Sequence, residues 1–119
     1  MHFIRFFSEI GIKDIEQVGG KNASLGEMYR NLSSQGVSVP NGFATTSEAY
    51  NYYIRHNKLE EKIRSALDSL DTHNVKELAR VGRQIRSWVL HAEMPDDLSD
   101  EIVGAYEKLS EEFNEYVGV

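Results

Sequence analysis

The residues best suited to chemistry are Gly19, Gly20 and Lys21, in the stretch Val18-Gly-Gly-Lys-Asn-Ala-Ser-Leu25. Directly behind them Leu25, Met28, Tyr29 and Leu32 recur at i, i+3, i+4 and i+7, one apolar stripe of an amphipathic helix. A helix start leaves backbone N–H groups without internal partners and carries a partial positive charge. Glycines there let a ligand approach the backbone and tolerate φ > 0. Lys21 adds a mobile point charge suited to phosphate. Together these features describe an anion site, most naturally one for phosphate. It is not a P-loop, because Ile15 stands where that motif begins with glycine and Asn22 where it carries Ser or Thr. No G-x-G-x-x-G occurs either. By pattern alone, a tight loop with a solvated lysine accounts for the same residues.

Other constellations point to solvated or packed side chains. His2, His56, His73 and His91 share no metal-ligand spacing. Asp96, Asp97, Asp100 and Glu101 flank a helix start, where acids favour the dipole. Ser24, Thr45 and Thr46 have no base nearby in sequence, so nucleophilic catalysis is unsupported. Arg80, Arg83 and Arg86 read first as a solvated face, with a phosphate or inter-domain contact as the alternative; Tyr50, Tyr52 and Tyr53 suggest a stacking platform for a base, but Tyr50 and Tyr53 read first as packing beside Ile54, and Trp88 reads as core. The residues identify no catalytic group and no metal ligand.

The elements that must hold the glycine–lysine stretch come from a chain of 119 residues, 40% apolar and 27% charged, which describes a globular chain rather than a disordered one. Phe3-Ile-Arg-Phe-Phe7 reads as a strand, and Ile12, Ile15 and Val18 as a short helical turn packing inward. The helix after Lys21 runs to about Ser34, with Gly36 as a left-handed cap. Val37–Pro40 and Phe43–Thr45 read as short strands around the Asn41-Gly42 turn. Thr45 and Glu48 form a capping box for a helix ending near Asn57. Further helices follow over Lys58–Leu70, over Asn74–His91 with Asn74 as cap, and from Pro95 through Phe113. Tyr116-Val-Gly-Val119 reads as the start of a buried strand, so the chain is expected to be truncated. The pattern predicts a helix-rich α/β (α+β) piece with about five helices and three or four short strands.

Composition bounds the partners. The net charge of −6 argues against nonspecific nucleic-acid binding. Acids crowd the stretch from Glu93 to Glu115 with Lys108 as its one base, which places any anion site toward the N-terminal or middle part. No apolar run approaches the roughly 20 residues that span a bilayer, so no membrane association is expected. The first residues lack the long apolar core of a secretory leader, and the absence of cysteine fits a cytoplasmic protein.

Linked segments extend the glycine–lysine motif. Val18-Gly-Gly-Lys-Asn-Ala-Ser-Leu-Gly-Glu-Met28, Gly36-Val-Ser-Val-Pro-Asn-Gly-Phe-Ala-Thr-Thr46, Glu48-Ala-Tyr50, Ile85-Arg86, Met94-Pro95 and Ala105-Tyr106 together cover nearly the whole chain. They resemble the N-terminal end of the phosphoenolpyruvate synthase (pyruvate, water dikinase) family, within the domain shared with pyruvate phosphate dikinase and rifampicin phosphotransferase. The resemblance implies an ATP-grasp fold that binds Mg-ATP. It also implies an enzyme that moves the β-phosphate of ATP through a phosphohistidine to pyruvate, releasing AMP and phosphate. Lys21 matches the family lysine that contacts ATP phosphates, and Gly19 and Gly20 match the adjoining loop. The family pattern continues beyond Val119 into a strand and loop carrying a phosphate-binding arginine, then to acidic metal ligands, the phosphohistidine domain and a barrel. Residues 1–119 are therefore expected to be an N-terminal fragment of the ATP-binding domain, inactive alone, from a homo-oligomeric parent enzyme. The competing expectations are a related phosphotransferase or a non-catalytic interaction module.

Overall fold

The computed structural model describes residues 2–113, which fall into two compact units. One takes the chain up to Tyr50 together with the chain from Asp96 onward; the other is Asn51–Pro95.

In the first unit the aromatic start forms β1, Ile4–Phe6, and pairs antiparallel with β2, Phe43–Thr45, in the register Ile4 with Thr45, Arg5 with Ala44 and Phe6 with Phe43. The Phe6 and Phe43 rings meet with centroids 5.9 Å apart, a cross-strand aromatic pair of the kind that stabilises short ladders. Two 3-10 turns follow β1, Phe7–Glu9 and Ile12–Asp14. They lead into the single-turn helix α1, Ile15–Val18, and then α2, Gly20–Ser33. Ile10 is fully buried and shares a cluster with Val18, Ala23 and Ala44, packed against Phe7. The last helix, α6, Asp96–Phe113, buries Leu98, Ala105 and Leu109. The Lys108 ammonium stands 5.1 Å from the Phe6 ring centroid.

Helix α2 packs by its smallest residues. Ala23 and Gly26 are buried, whereas Leu25, Tyr29 and Leu32 are half-buried and Met28 is exposed. The i, i+3, i+4, i+7 stripe is thus not the closest face, because the chain at Ile10 approaches the helix where Gly26 has no side chain. At the far end Gly36 takes φ +83, Val37 N–H bonds to Leu32 O at 3.0 Å and Gly36 N–H to Ser33 O at 3.2 Å, a Schellman cap.

Ile12 and Ile15, expected to pack inward with Val18, are exposed, and Val18 alone of the three is buried. Residues 37–40 are irregular, not a strand: Val37 and Ser38 are exposed and Val39 is only half-buried, so the alternation faces no core and finds no ladder partner among the described residues. The cap of α3, Ser47–His56, is Thr46 rather than Thr45, because Thr45 is used in the pairing with Ile4. Thr46 Oγ1 accepts from Ala49 N–H at 3.1 Å and donates to His2 O at 2.6 Å, while Glu48 accepts the His2 N–H. The expected strand at 116–119 lies outside the described residues.

In the second unit α4, Leu59–Asp68, and α5, Val75–His91, form a helix pair. Lys58 turns the chain into α4 with φ 56, and Asn74 caps α5 by accepting from Glu77 N–H. Ile54, Leu59 and Val81 are buried, whereas Leu67 and Leu78 are about half exposed. The Asn57 side chain donates to Glu93 O at 2.9 Å and accepts from Glu93 N–H at 2.8 Å, while Tyr53 Oη donates to Val89 O at 2.6 Å. Trp88 is half-buried, not core, with Lys62 Nζ 4.3 Å above its ring.

Candidate functional site

The α1–α2 junction is built by one residue with two duties. Gly19 closes α1 by donating its N–H to Ile15 O at 2.8 Å, and opens α2 by accepting the Ala23 N–H at 3.0 Å. Its φ of +84 and ψ of 162 fall where residues with a Cβ are strained. Helix α2 then begins at Gly20, so Lys21 is its second residue. This shifts the sequence-based start: only Gly19 is loop, and Gly20 and Lys21 belong to the first turn.

That turn is open. The N–H groups of Gly20, Lys21 and Asn22 precede the first intrahelical bond, and Gly19 offers no side-chain cap. A Cβ on Gly19 or Gly20 would meet nothing within 4 Å. Gly19, Gly20 and Lys21 are all exposed, and no acid stands in the first turn. Free amides, the positive end of a 14-residue helix and a lysine therefore share one exposed first turn. The structure brings the three site residues of the sequence analysis together as neighbours at that turn.

Two side chains tie the junction to the body of α2, and neither stands out in the sequence. Asn22 Nδ2 donates to Val18 O at 2.9 Å, spanning the two glycines. Glu27 Oε2 accepts the Ile12 N–H at 2.9 Å, and its other oxygen accepts from Asn31 Nδ2 at 3.2 Å. The Ile12 hydrogen bond first, then Asn31 and the nearby Arg30 and Lys13 charges, hold the Glu27 carboxyl below the usual carboxylate range. Arg30 Nη1 also reaches Ile10 O at 3.4 Å. The only sequence signal for these ties is an asparagine at the third helical position and a glutamate on the turn below it.

The remaining candidates have local structural duties. Arg80 pairs with Glu77 at 2.6 Å beside a shallow cleft of about 200 Å³, which Asp71 and Gln84 also line. Tyr53 is bound through its hydroxyl, whereas Tyr50 is exposed rather than packed. His56 Nε2 stands 3.4 Å from Glu93 Oε2, and His91 Nδ1 lies 2.9 Å from Ser87 O. Asp97 Oδ1 accepts the Leu98 N–H at the start of α6. Among the described residues no group of three or more His, Cys, Asp or Glu is placed to hold a metal ion, and no helix is long and apolar enough to cross a membrane.

Comparison with known proteins gives this geometry a context. The family model described as pyruvate phosphate dikinase, AMP/ATP-binding domain, matches residues 15–119. The chain is 49% identical over 108 residues to the phosphoenolpyruvate synthase of Neisseria meningitidis, covering 91% of this chain. It is 47% identical over 110 residues to that of Pseudomonas aeruginosa, covering 92%. It is 44% identical over 107 residues to that of Escherichia coli, covering 90%. The match spans 14% of the length of each of these relatives.

Proposed function

From the premise that this chain belongs to the pyruvate phosphate dikinase AMP/ATP-binding domain family, we propose that it is the N-terminal part of the ATP-binding domain of a phosphoenolpyruvate synthase. In this reading Gly19, Gly20 and Lys21 hold phosphate oxygens of ATP. The observation that carries it is the open first turn of α2, where three backbone amides and Lys21 have no partner among the described residues, inside the region that the family model matches.

The chemistry of the donors fits the ligand. Gly19 bends the chain and Gly20 keeps the approach clear. The amides of Gly20, Lys21 and Asn22 supply directed donors, and Lys21 supplies a full charge at the positive end of the helix dipole. Phosphoryl transfer needs several cationic groups, metal ions and precise positioning. The described residues supply one cation for that task and no metal cluster. The remaining parts of the reading are an ATP-grasp fold, Mg2+ held elsewhere in the enzyme, a phosphohistidine carrier, pyruvate as acceptor, a homo-oligomeric assembly and a cytoplasmic setting. By the same reasoning the 119-residue chain alone forms no phosphoenolpyruvate.

The test is a product assay on the full-length enzyme with ATP, Mg2+ and pyruvate. Formation of phosphoenolpyruvate with AMP and phosphate supports the reading, and its absence overturns it.

A further inference from the structure

The α1–α2 turn has few contacts of its own. Helix α1 has four residues, and a single helical turn does not persist without outside contacts. Gly19 and Gly20 have no side chains, and nothing stands within 4 Å of where a Cβ would be. Beyond the two backbone bonds of Gly19, the turn depends on contacts made by the chain that leads into it.

Helix α2 grips that chain at two points. Glu27 takes the Ile12 N–H at the entrance to the Ile12–Asp14 turn, just ahead of α1. Asn22 takes Val18 O at the exit of α1. The two ties bracket α1, which Val18 also anchors in the core and which Ser47 and Arg5 hold through Glu16 O and the Gln17 side chain. Space is reserved for the first tie: a Cβ on Gly11 would collide with the Glu27 carboxylate and stand 3.0 Å from Arg30 Nη1. The second tie folds the Asn22 side chain back toward α1, so its carboxamide does not cap the helix and its backbone N–H stays available.

We propose that Asn22 and Glu27 are positioning residues that hold the Gly19–Lys21 turn open for ATP phosphate; this rests on the reading of that turn as the phosphate site. Neither side chain touches the ligand. Each acts through the backbone it grips.

The experiment is steady-state kinetics on the full-length enzyme with Asn22→Ala, Glu27→Ala, Glu27→Gln and, as a reference for the site itself, Lys21→Ala. Loss of either tie is expected to raise KM for ATP about three- to tenfold, the scale of one hydrogen bond. KM for pyruvate should stay within about twofold, and Glu27→Gln, which keeps an acceptor for Ile12, should return KM for ATP to within about twofold of wild type. If Glu27→Ala does not fold, Asn22→Ala decides the question. An unchanged KM for ATP in Asn22→Ala and Glu27→Ala, beside a raised one in Lys21→Ala, overturns the positioning role and leaves the site standing. Equal rises in both KM values together with a lowered melting temperature also overturn it, as a general loss of structure. An unchanged KM for ATP in Lys21→Ala overturns the site beneath it.

Discussion

Gly26 of α2 lies directly against Ile10, so closely that a Cβ on Gly26 would stand 2.5 Å from both Ile10 Cγ1 and Ile10 O. Ile10 is fully buried, and the backbone oxygen cannot swing aside as a side-chain tip could. Overpacking of this kind costs about 1–3 kcal/mol, against a helix-propensity gain of about 1 kcal/mol for replacing glycine. Gly26→Ala is therefore expected to destabilise the first unit by up to about 2 kcal/mol. Amide hydrogen exchange in the full-length protein reads this as faster local opening at Ile10 and along α2. Unchanged protection there would show that the contact has slack.

The two glycines of the candidate site should separate. Gly19 has φ +84, and an alanine there is strained by about 1–3 kcal/mol. Gly20 is helical and open, so Gly20→Ala should be neutral or slightly stabilising in exchange measurements. It should still weaken ATP binding, because the new methyl group stands on the approach to the amides. A Gly20→Ala variant with unaltered KM for ATP would remove that residue from the site.

Thr46, not Thr45, anchors the start of α3. Thr46 is buried and serves both Ala49 N–H and His2 O. Thr46→Ala should cost about 1–2 kcal/mol of local stability, the upper range for a helix cap. Thr46→Ser should recover most of it, and Thr45→Ala should stay within about 0.5 kcal/mol. Exchange at Ala49 and Tyr50 distinguishes these outcomes. Equal effects of the two alanine substitutions would contradict the assignment of the cap.

Glu27 makes the brace on Ile12 sensitive to acid. Its folded carboxyl titrates below its unfolded counterpart, because the charged form is the one that accepts from Ile12 and Asn31 and faces Arg30 and Lys13. The contribution is therefore complete above the ordinary glutamate value of about 4.3. It is lost as pH falls through the depressed folded value. Exchange at the Ile12 amide, corrected for its intrinsic rate, should accelerate over that acid range in wild type and lose this pH dependence in Glu27→Gln. The same profile in both proteins would show that the tie does not depend on charge.

Much of this architecture is legible in the sequence, for local reasons. Asn74 three residues ahead of Glu77 marks a cap, and Gly36 marks the left-handed end of α2. Apolar spacing finds the longer helices because burial imposes it. The failures arise where tertiary context decides. Val37–Pro40 alternates like a strand but has no ladder to join. Thr45 resembles a cap, yet it is used in pairing with Ile4. Nothing in the sequence marks Gly26 as the place where the chain at Ile10 meets α2. At the candidate site Gly19, Gly20 and Lys21 are visible because glycine and lysine types announce their chemistry. Asn22 and Glu27 are not, because their partners are backbone groups, Val18 O and Ile12 N–H, whose positions only the fold supplies.

The open first turn of α2, with Lys21 at its second position, is the proposed holder of ATP phosphate. The most direct measurement is the equilibrium dissociation constant for ATP of the full-length enzyme and its Lys21→Ala variant, by titration calorimetry without pyruvate. Loss of a charge-assisted contact of about 1.5–3 kcal/mol predicts binding weaker by about ten- to a hundredfold. A dissociation constant for Lys21→Ala equal to that of wild type would show that Lys21 holds no ATP phosphate.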